Sequence, residues 1–431
     1  MTRFLSTVVT ALCATTVLAS IPTCGEGNKC PQDSPCCSAY GQCGVGAYCL
    51  GGCDPRYSFD LNSCVPNPQC QSEDYKLNSL DDVADISQYL GDATKANWVS
   101  SGKPVVYNKN SILLTMAPDT VGTLLASTHY VWYGKISATL TTSQGAGVVT
   151  AFILMSDAKD EIDFEFVGVD TQHVQSNYYF QGITNYDNEL NLTASNTEST
   201  THTYTIDWSP DQLNWLVDGK VLRTKNRSET WNATANAYAY PQTPARIMLS
   251  LWPAGLPTNA QGTIDWAGGL IDWNSPYMQN GYYYAMVSDV NVECYNPPAG
   301  AQGSGKATYV YTNVEATNNT IELSDKSVVL KSLYASGDNP NYNPSGSAAA
   351  SSTPESIPGV SGAGAKNDGS SGSASSSGTA SSSGAAQSGS SSGFTQGSGS
   401  TGSSGGTKIH PERLGGSVLA ILVAVGVMLC W

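Results

Sequence analysis

Apolar and polar positions alternate along most of the chain between residues 72 and 298. The sharpest case is Asp160-Glu161-Ile162-Asp163-Phe164-Glu165-Phe166-Val167-Gly168. In an extended strand successive side chains point to opposite faces. Glu161, Asp163 and Glu165 therefore share one face, and Ile162, Phe164 and Phe166 share the other. Similar patterns predict strands over 129–142, 147–155, 161–169, 174–181, 203–208 and 246–252. Residues 213–217 and 220–223 flank Asp218-Gly219, a pair suited to the left-handed positions of a type I′ hairpin turn. No long run has helical periodicity. So many strands in one region predict an all-β unit of two stacked antiparallel sheets.

The flanks read differently. Residues 20–70 are dense in cysteine and turns and too short for a core of their own, so disulfides must hold them. Residues 299–406 read as linker and stalk, and from Ser345 to Gly406 the chain is mostly Ser, Gly and Ala, which cannot bury a core and predicts disorder. At the start, Arg3 precedes an apolar run from Phe4 to Leu18, with small residues near Ala19. Residues 1–19 thus read as a signal peptide, with a retained membrane anchor as the alternative. At the end, Leu414 to Trp431 is almost wholly apolar. A polar spacer and the small residues Ser403, Ser404, Gly405 and Gly406 precede it. Residues 407–431 read as a GPI-anchor signal with those four as candidate attachment sites, and a spanning helix is the alternative.

Composition narrows the partners. The 431 residues carry a formal net charge of −15, and only 13 % are charged. That balance suits neither nucleic acid nor an anionic membrane surface. It fits a neutral polysaccharide, with a membrane reached only through a lipid anchor. Removing both ends removes Cys13 and Cys430 and leaves an even set of cysteines, as expected in an oxidising compartment. No metal or cofactor is expected. Asn191, Asn226, Asn232 and Asn318 begin N-glycosylation sequons.

Three carboxylates in a row are costly to hold together, and at least one should have a raised pKa. An ordinary exposed strand would mix in Lys, Thr or Ser. An acidic edge or a calcium site would be the bland explanation. Glu161 and Glu165 are four residues apart, about 13 Å along a strand. Side chains leaning inward by roughly 4 Å each would leave about 5 Å between carboxyls, the spacing of a retaining glycosidase.

Glu161-Ile162-Asp163-Phe164-Glu165 resembles the active-site signature of glycoside hydrolase family 16. The run 145–157, Val174-Gln175-Ser176-Asn177-Tyr178-Tyr179, residues 202–208 and Trp266-Ala267-Gly268-Gly269 resemble its fungal Crh branch. This resemblance covers roughly residues 90–295. It implies a β-jelly-roll (concanavalin-like sandwich) and retaining chemistry. In that reading Glu161 is the nucleophile, Asp163 a helper and Glu165 the acid/base. Gln175, Asn177 and Tyr178 would be substrate contacts, as would Thr263 and Trp266. On 246–252, Met248 and Trp252 share a face, and Trp252 lies at a strand end where a sugar could stack. The resemblance further implies transfer, with chitin as donor and β-glucan or chitin as acceptor. Hydrolysis, as a β-1,3-glucanase or chitinase, and a non-catalytic wall lectin or adhesin are the competing readings.

Cys36-Cys37-Ser38-Ala39-Tyr40-Gly41-Gln42-Cys43-Gly44 with Tyr48-Cys49 resembles hevein-type chitin-binding modules (carbohydrate-binding family 18). The resemblance implies sugar contacts at Ser38, Tyr40 and Tyr48. It also implies the pairs Cys24–Cys37, Cys30–Cys43 and Cys36–Cys49. Gln42 stands where an aromatic is usual. Spacing alone fixes no connectivity, and for the rest we expect Cys53 with Cys64 and Cys70 with Cys294. The alternative for this module is a structural spacer.

Overall fold

The computed structural model describes residues 21–233 and 236–344. The signal-peptide region, the Ser/Gly stretch from Ser345 to Gly406 and the anchor tail lie outside them. Within them, two eight-stranded sheets stack. One runs, edge to edge, through Leu190–Thr193, His173–Tyr179, Glu161–Val167, Val148–Ser156, Ala245–Pro253, Thr123–Val131, Trp98–Ser101 and Val83–Asp85. The other contains Lys220–Asn226, Gln212–Val217, His202–Trp208, Gly134–Thr141, Tyr283–Cys294, Ser111–Met116 and Val105–Tyr107, with Glu73–Lys76 alongside Tyr283–Cys294. This is a β-jelly-roll. The sole α-helix among the described residues is Gln261–Trp266.

The core lies between the sheets. Ile162, Phe164 and Phe166 meet Tyr204 and Ile206 of the opposite sheet, and Phe164 and Phe166 each pack edge-on against Tyr204. Every second residue of Glu161–Val167 is thereby fixed inward, which leaves the carboxylates no choice of face. Below the strand, the buried Trp215 donates its indole N–H to the Asp163 carbonyl at 3.0 Å. Arg223 covers that indole, 4.4 Å from the ring centre. Asp218 and Gly219 turn the hairpin with φ of 49° and 77°.

Two expectations are corrected. The run 129–142 is two strands, Thr123–Val131 and Gly134–Thr141, which belong to different sheets. The chain crosses over at Trp132-Tyr133, where Tyr133 has φ 64°. Both residues stay buried, so the hydrophobic pattern carries no sign of the break. Secondly, residues beyond 299 do not begin as linker. Gln302–Gly303, Thr308–Tyr311 and Ile321–Ser324 form a small sheet with Asn67–Pro68. Leu330 and Ala335 then bury themselves beside Tyr48, Leu50 and Val65 of the cysteine-rich unit.

That unit is therefore clamped. Its cysteines pair as Cys24–Cys37, Cys30–Cys43, Cys36–Cys49 and Cys53–Cys64, and Cys70 is bonded to Cys294 of the jelly-roll. Tyr48 is 1 % exposed and Ser38 2 %. Tyr48 packs with Leu330, Ala335 and neighbouring disulfides, so neither it nor the buried Ser38 presents an open surface for the sugar contact the resemblance implies; Tyr40 is half-buried.

Asp157 joins the unit to the sheet. Its carboxylate accepts from the Gly52 N–H, the Tyr130 hydroxyl and the Asn67 amide, each at 2.8 Å. Burial nevertheless outweighs these donors and pushes its pKa from 3.8 up to about 6. An acid with a raised native pKa holds its proton more tightly folded than unfolded. Its contribution is therefore greatest below about pH 4 and is lost as pH rises to about 6. Two units correspond to about 3 kcal/mol. Asp157→Asn should flatten this part of the profile. Urea midpoints of both proteins between pH 4 and 7 test it, and a constant difference would refute the assignment.

Candidate active site

Hydrogen-bond register places the site residues in rows across the sheet. Tyr179, Glu161, Met155 and Arg246 form one row. Asn177, Asp163, Ile153 and Met248 form the next, and Gln175, Glu165, Ala151 and Ser250 the third. Directly paired residues share a face. The three carboxylates thus stand beside Asn177, Gln175 and Met248, as the sequence reading grouped them. Tyr178 does not join them. It pairs with Ile162 and packs into the core, 6.3 Å from Trp215. Asn177 and Tyr178 are adjacent on one strand and cannot both face the carboxylates. Tyr179, overlooked in the sequence, takes that place, and its hydroxyl accepts from the Asn177 amide at 2.8 Å.

Glu161, Asp163 and Glu165 are 0 %, 0 % and 2 % exposed. Burial, followed by the charges of Asp163 and then Glu165, raises the Glu161 pKa well above the carboxylate range; Lys159 opposes this only weakly. Asp163 is also a hydrogen-bond neighbour of Glu161. Two carboxyls in that relation share a proton rather than both ionising. The strand's entry is fixed by Asp160. Its buried carboxylate accepts from the backbone of Gln181, Gln242 and Thr243 and from the Thr243 hydroxyl.

At the Glu165 end stands an aromatic pair. Trp252 and Trp266 stack at 6.1 Å with planes 22° apart. The Trp266 indole donates to Gln175 Oε1 at 2.8 Å, which ties the pair to the row of Glu165. The Trp252 indole N–H is buried without an acceptor among the described residues, a donor available to a ligand hydroxyl. Thr263 is buried on the helix that carries Trp266. Of the sequon residues, Asn191 and Asn232 are exposed, and Asn226 and Asn318 are half-buried.

Such a site pairs a proton-sharing carboxyl couple with a third carboxyl along one strand, next to stacking rings. The profile of glycosyl hydrolases family 16 matches residues 92–268. The chain is 55 % identical over 335 residues to Crh-like protein 3 of Botryotinia fuckeliana, covering 78 % of this chain and 75 % of that one. It belongs to the Crh-like branch of glycosyl hydrolase family 16. Crh-like protein 2 of Aspergillus fumigatus is 51 % identical over 352 residues, 80 % of this chain and 79 % of that one. A solved Crh5 transglycosylase in complex with NAG superposes with TM-score 0.52 at 29 % identity, covering 63 % of this chain and all of that one. This Crh-like protein is accordingly an enzyme of the glycosidase and transglycosylase type, acting on polysaccharide in the cell wall.

Proposed function

We propose that this Crh-like protein is a retaining transglycosylase that cuts chitin and joins the released chain to β-glucan or chitin. The carboxylate row carries this reading: Glu161, Asp163 and Glu165 lie on one face, and burial beside the other two carboxyls holds the Glu161 pKa well above its ordinary value. Glu161 attacks the anomeric carbon as the glycosidic C–O bond breaks, and Glu165 gives its proton to the departing oxygen. Asp163 takes up the proton that Glu161 must lose to become a nucleophile. An acceptor hydroxyl then yields its proton to Glu165 and displaces Glu161. Water in the acceptor's place gives hydrolysis by the same intermediate. The Crh5 complex with NAG, a fold relative, supports an N-acetylglucosamine donor.

Incubation with N-acetylglucosamine oligomers and a fluorescent β-1,3-glucan oligosaccharide decides the outcome. Hybrid chains are expected. Reducing ends without hybrids would mean a hydrolase, and binding without turnover an adhesin. We further propose that the chain is secreted and GPI-anchored. Phosphatidylinositol-specific lipase should release it from membranes, and retention of Trp431 in the mature protein would overturn the anchor.

A further inference from the structure

Two carboxyls that work on a glycosidic bond flank it, one at the anomeric carbon and one at the leaving oxygen. Glu161 and Glu165 are separated along a strand, so a glycan held between them lies across the strands. On one side it passes over Val148–Ser156 and Ala245–Pro253. On the other it passes over His173–Tyr179 and then Leu190–Thr193, which is the edge of the sheet. Gln175 pairs with Glu165 on its inner side and with Asn191 on its outer side. Val174 and Leu192 point into the core, so Asn191 shares the face of the carboxylates. It stands two strands from Glu165, about 10 Å at the usual strand spacing. Thr193, two residues further, has the same face. Asn191-Leu192-Thr193 is a sequon, and its asparagine and threonine are both exposed. The Asn191 carboxamide makes no hydrogen bond among the described residues. The other sequons differ. Asn226 donates its amide to Glu229 and accepts from Gln212. Asn318 is half-buried, with its backbone N–H on Gln242 Oε1. Asn232 is exposed but belongs to the short strand Trp231–Asn232, outside both large sheets.

We propose that Asn191 carries an N-glycan that walls the cleft at its outer edge and sets how long a chain the site holds there. This rests on the secretion and on the catalytic reading above, and goes beyond both. In the modification, Asn191 Nδ2 loses a proton and bonds to the anomeric carbon of an oligosaccharide. The bond from that carbon to the oxygen of a lipid pyrophosphate breaks, and the lipid pyrophosphate leaves. The attached sugar is bulky and stays in solvent, which the exposed edge strand permits. It rises from the row of Gln175 and Glu165 and fills the space that a substrate chain would need after passing Gln175. Gln175 already accepts from the Trp266 indole on the side toward Trp252. The glycan thus closes the end of the cleft opposite the stacked tryptophans. Without it, the exposed edge Leu190–Thr193 leaves that end open to a long chain. A chemical group added before the protein leaves the cell would then tune the length preference of a site that its own side chains leave unbounded.

Mass spectrometry of the peptide that contains Asn191, from protein secreted by a eukaryotic host, should find it carrying sugar. Asn191→Gln and Thr193→Val both remove the sequon, and Thr193→Ser keeps it. With N-acetylglucosamine oligomers of increasing length, the two variants that lack the glycan should show a KM about 10-fold lower for oligomers that extend past Gln175, the gain of about one hydrogen-bonded contact. The kcat should hold within about 3-fold, because uniform binding is what changes. Shorter oligomers should be handled as by the wild type, and Thr193→Ser should stay near wild type at every length. Trimming the folded wild type to its first N-acetylglucosamine with an endoglycosidase makes the same test without a substitution. It should lower the KM for long oligomers and leave Asn191→Gln unchanged. A bare Asn191 overturns the proposal, and so does a glycan whose removal leaves KM unaltered at every length. β-1,3-glucan oligomers are run in parallel. Turnover of these alone would mean that the chitin reading fails, and the length effect is then read on the glucan series. Turnover of neither would end the catalytic reading and the wall with it.

Discussion

Glu161→Gln is expected to abolish turnover, with kcat/KM falling about 10⁴-fold or more, while the melting temperature holds or rises. Loss of the nucleophile removes the covalent route, and an amide at this buried position relieves the crowding of three carboxyls. Glu165→Gln should lose about 10²- to 10⁴-fold, the usual worth of a positioned acid and base. Part of that loss should return with a donor whose leaving group needs no protonation, and the glycosyl-enzyme should then accumulate for want of a base. The double variant should be little worse than Glu161→Gln alone, since the groups act as a unit. Near-normal rates in either single variant would show that the roles are misassigned.

The pH profile has a definite sign. Glu161 must be ionised to attack, yet burial and then Asp163 hold its pKa well above the ordinary value of 4.5. The acid limb of kcat/KM should therefore lie above the usual carboxylate range. Asp163→Asn removes the second of those causes and supplies an amide donor. The limb should move to lower pH while the plateau falls. An unmoved limb would mean that Asp163 does not share its proton with Glu161.

Much of this site could be read from the sequence because a strand has period two. The sequence 160–168 alone places three carboxylates opposite three core residues, and the sheet only supplies their neighbours. The same rule, applied to 174–179, would have rejected Tyr178 in favour of Tyr179, since Asn177 fixes the parity. Applied to 246–252, it would have added Arg246 to Met248 and Trp252. What the pattern could not show are contacts between distant segments. Nothing near Gly51 or Asp157 in the sequence signals that the cysteine-rich unit folds against the sheet. The ordered strands after residue 299 were missed for a related reason. They are short, they pair with Asn67–Pro68, and their apolar residues Tyr309, Tyr311 and Ile321 bury in the jelly-roll core, Tyr309 edge-on against Trp132. A resemblance based on isolated modules meets the same difficulty: it implies a sugar contact at Tyr48, whose ring is buried with Leu330 and Ala335 in this chain.

Removing the Cys70–Cys294 bond is expected to cost up to about 5 kcal/mol of stability, because it closes a loop of 224 residues. The Cys53–Cys64 bond, with a separation of 11, should be worth about 3 kcal/mol on the same chain-entropy argument. Little packing is lost with the longer bridge. Both cysteines are half-buried, and their backbone N–H groups keep acceptors in the Tyr309 and Ser72 hydroxyls. Cys294 ends the strand Tyr283–Cys294, which Glu73–Lys76 flanks from Val292 to Asp289. The bridge thus locks the exit of the cysteine-rich unit to the last strand of the jelly-roll. Urea unfolding of Cys70→Ala with Cys294→Ala, compared with wild type under non-reducing conditions, measures the difference. A loss no larger than that for the Cys53–Cys64 pair would refute the chain-entropy argument.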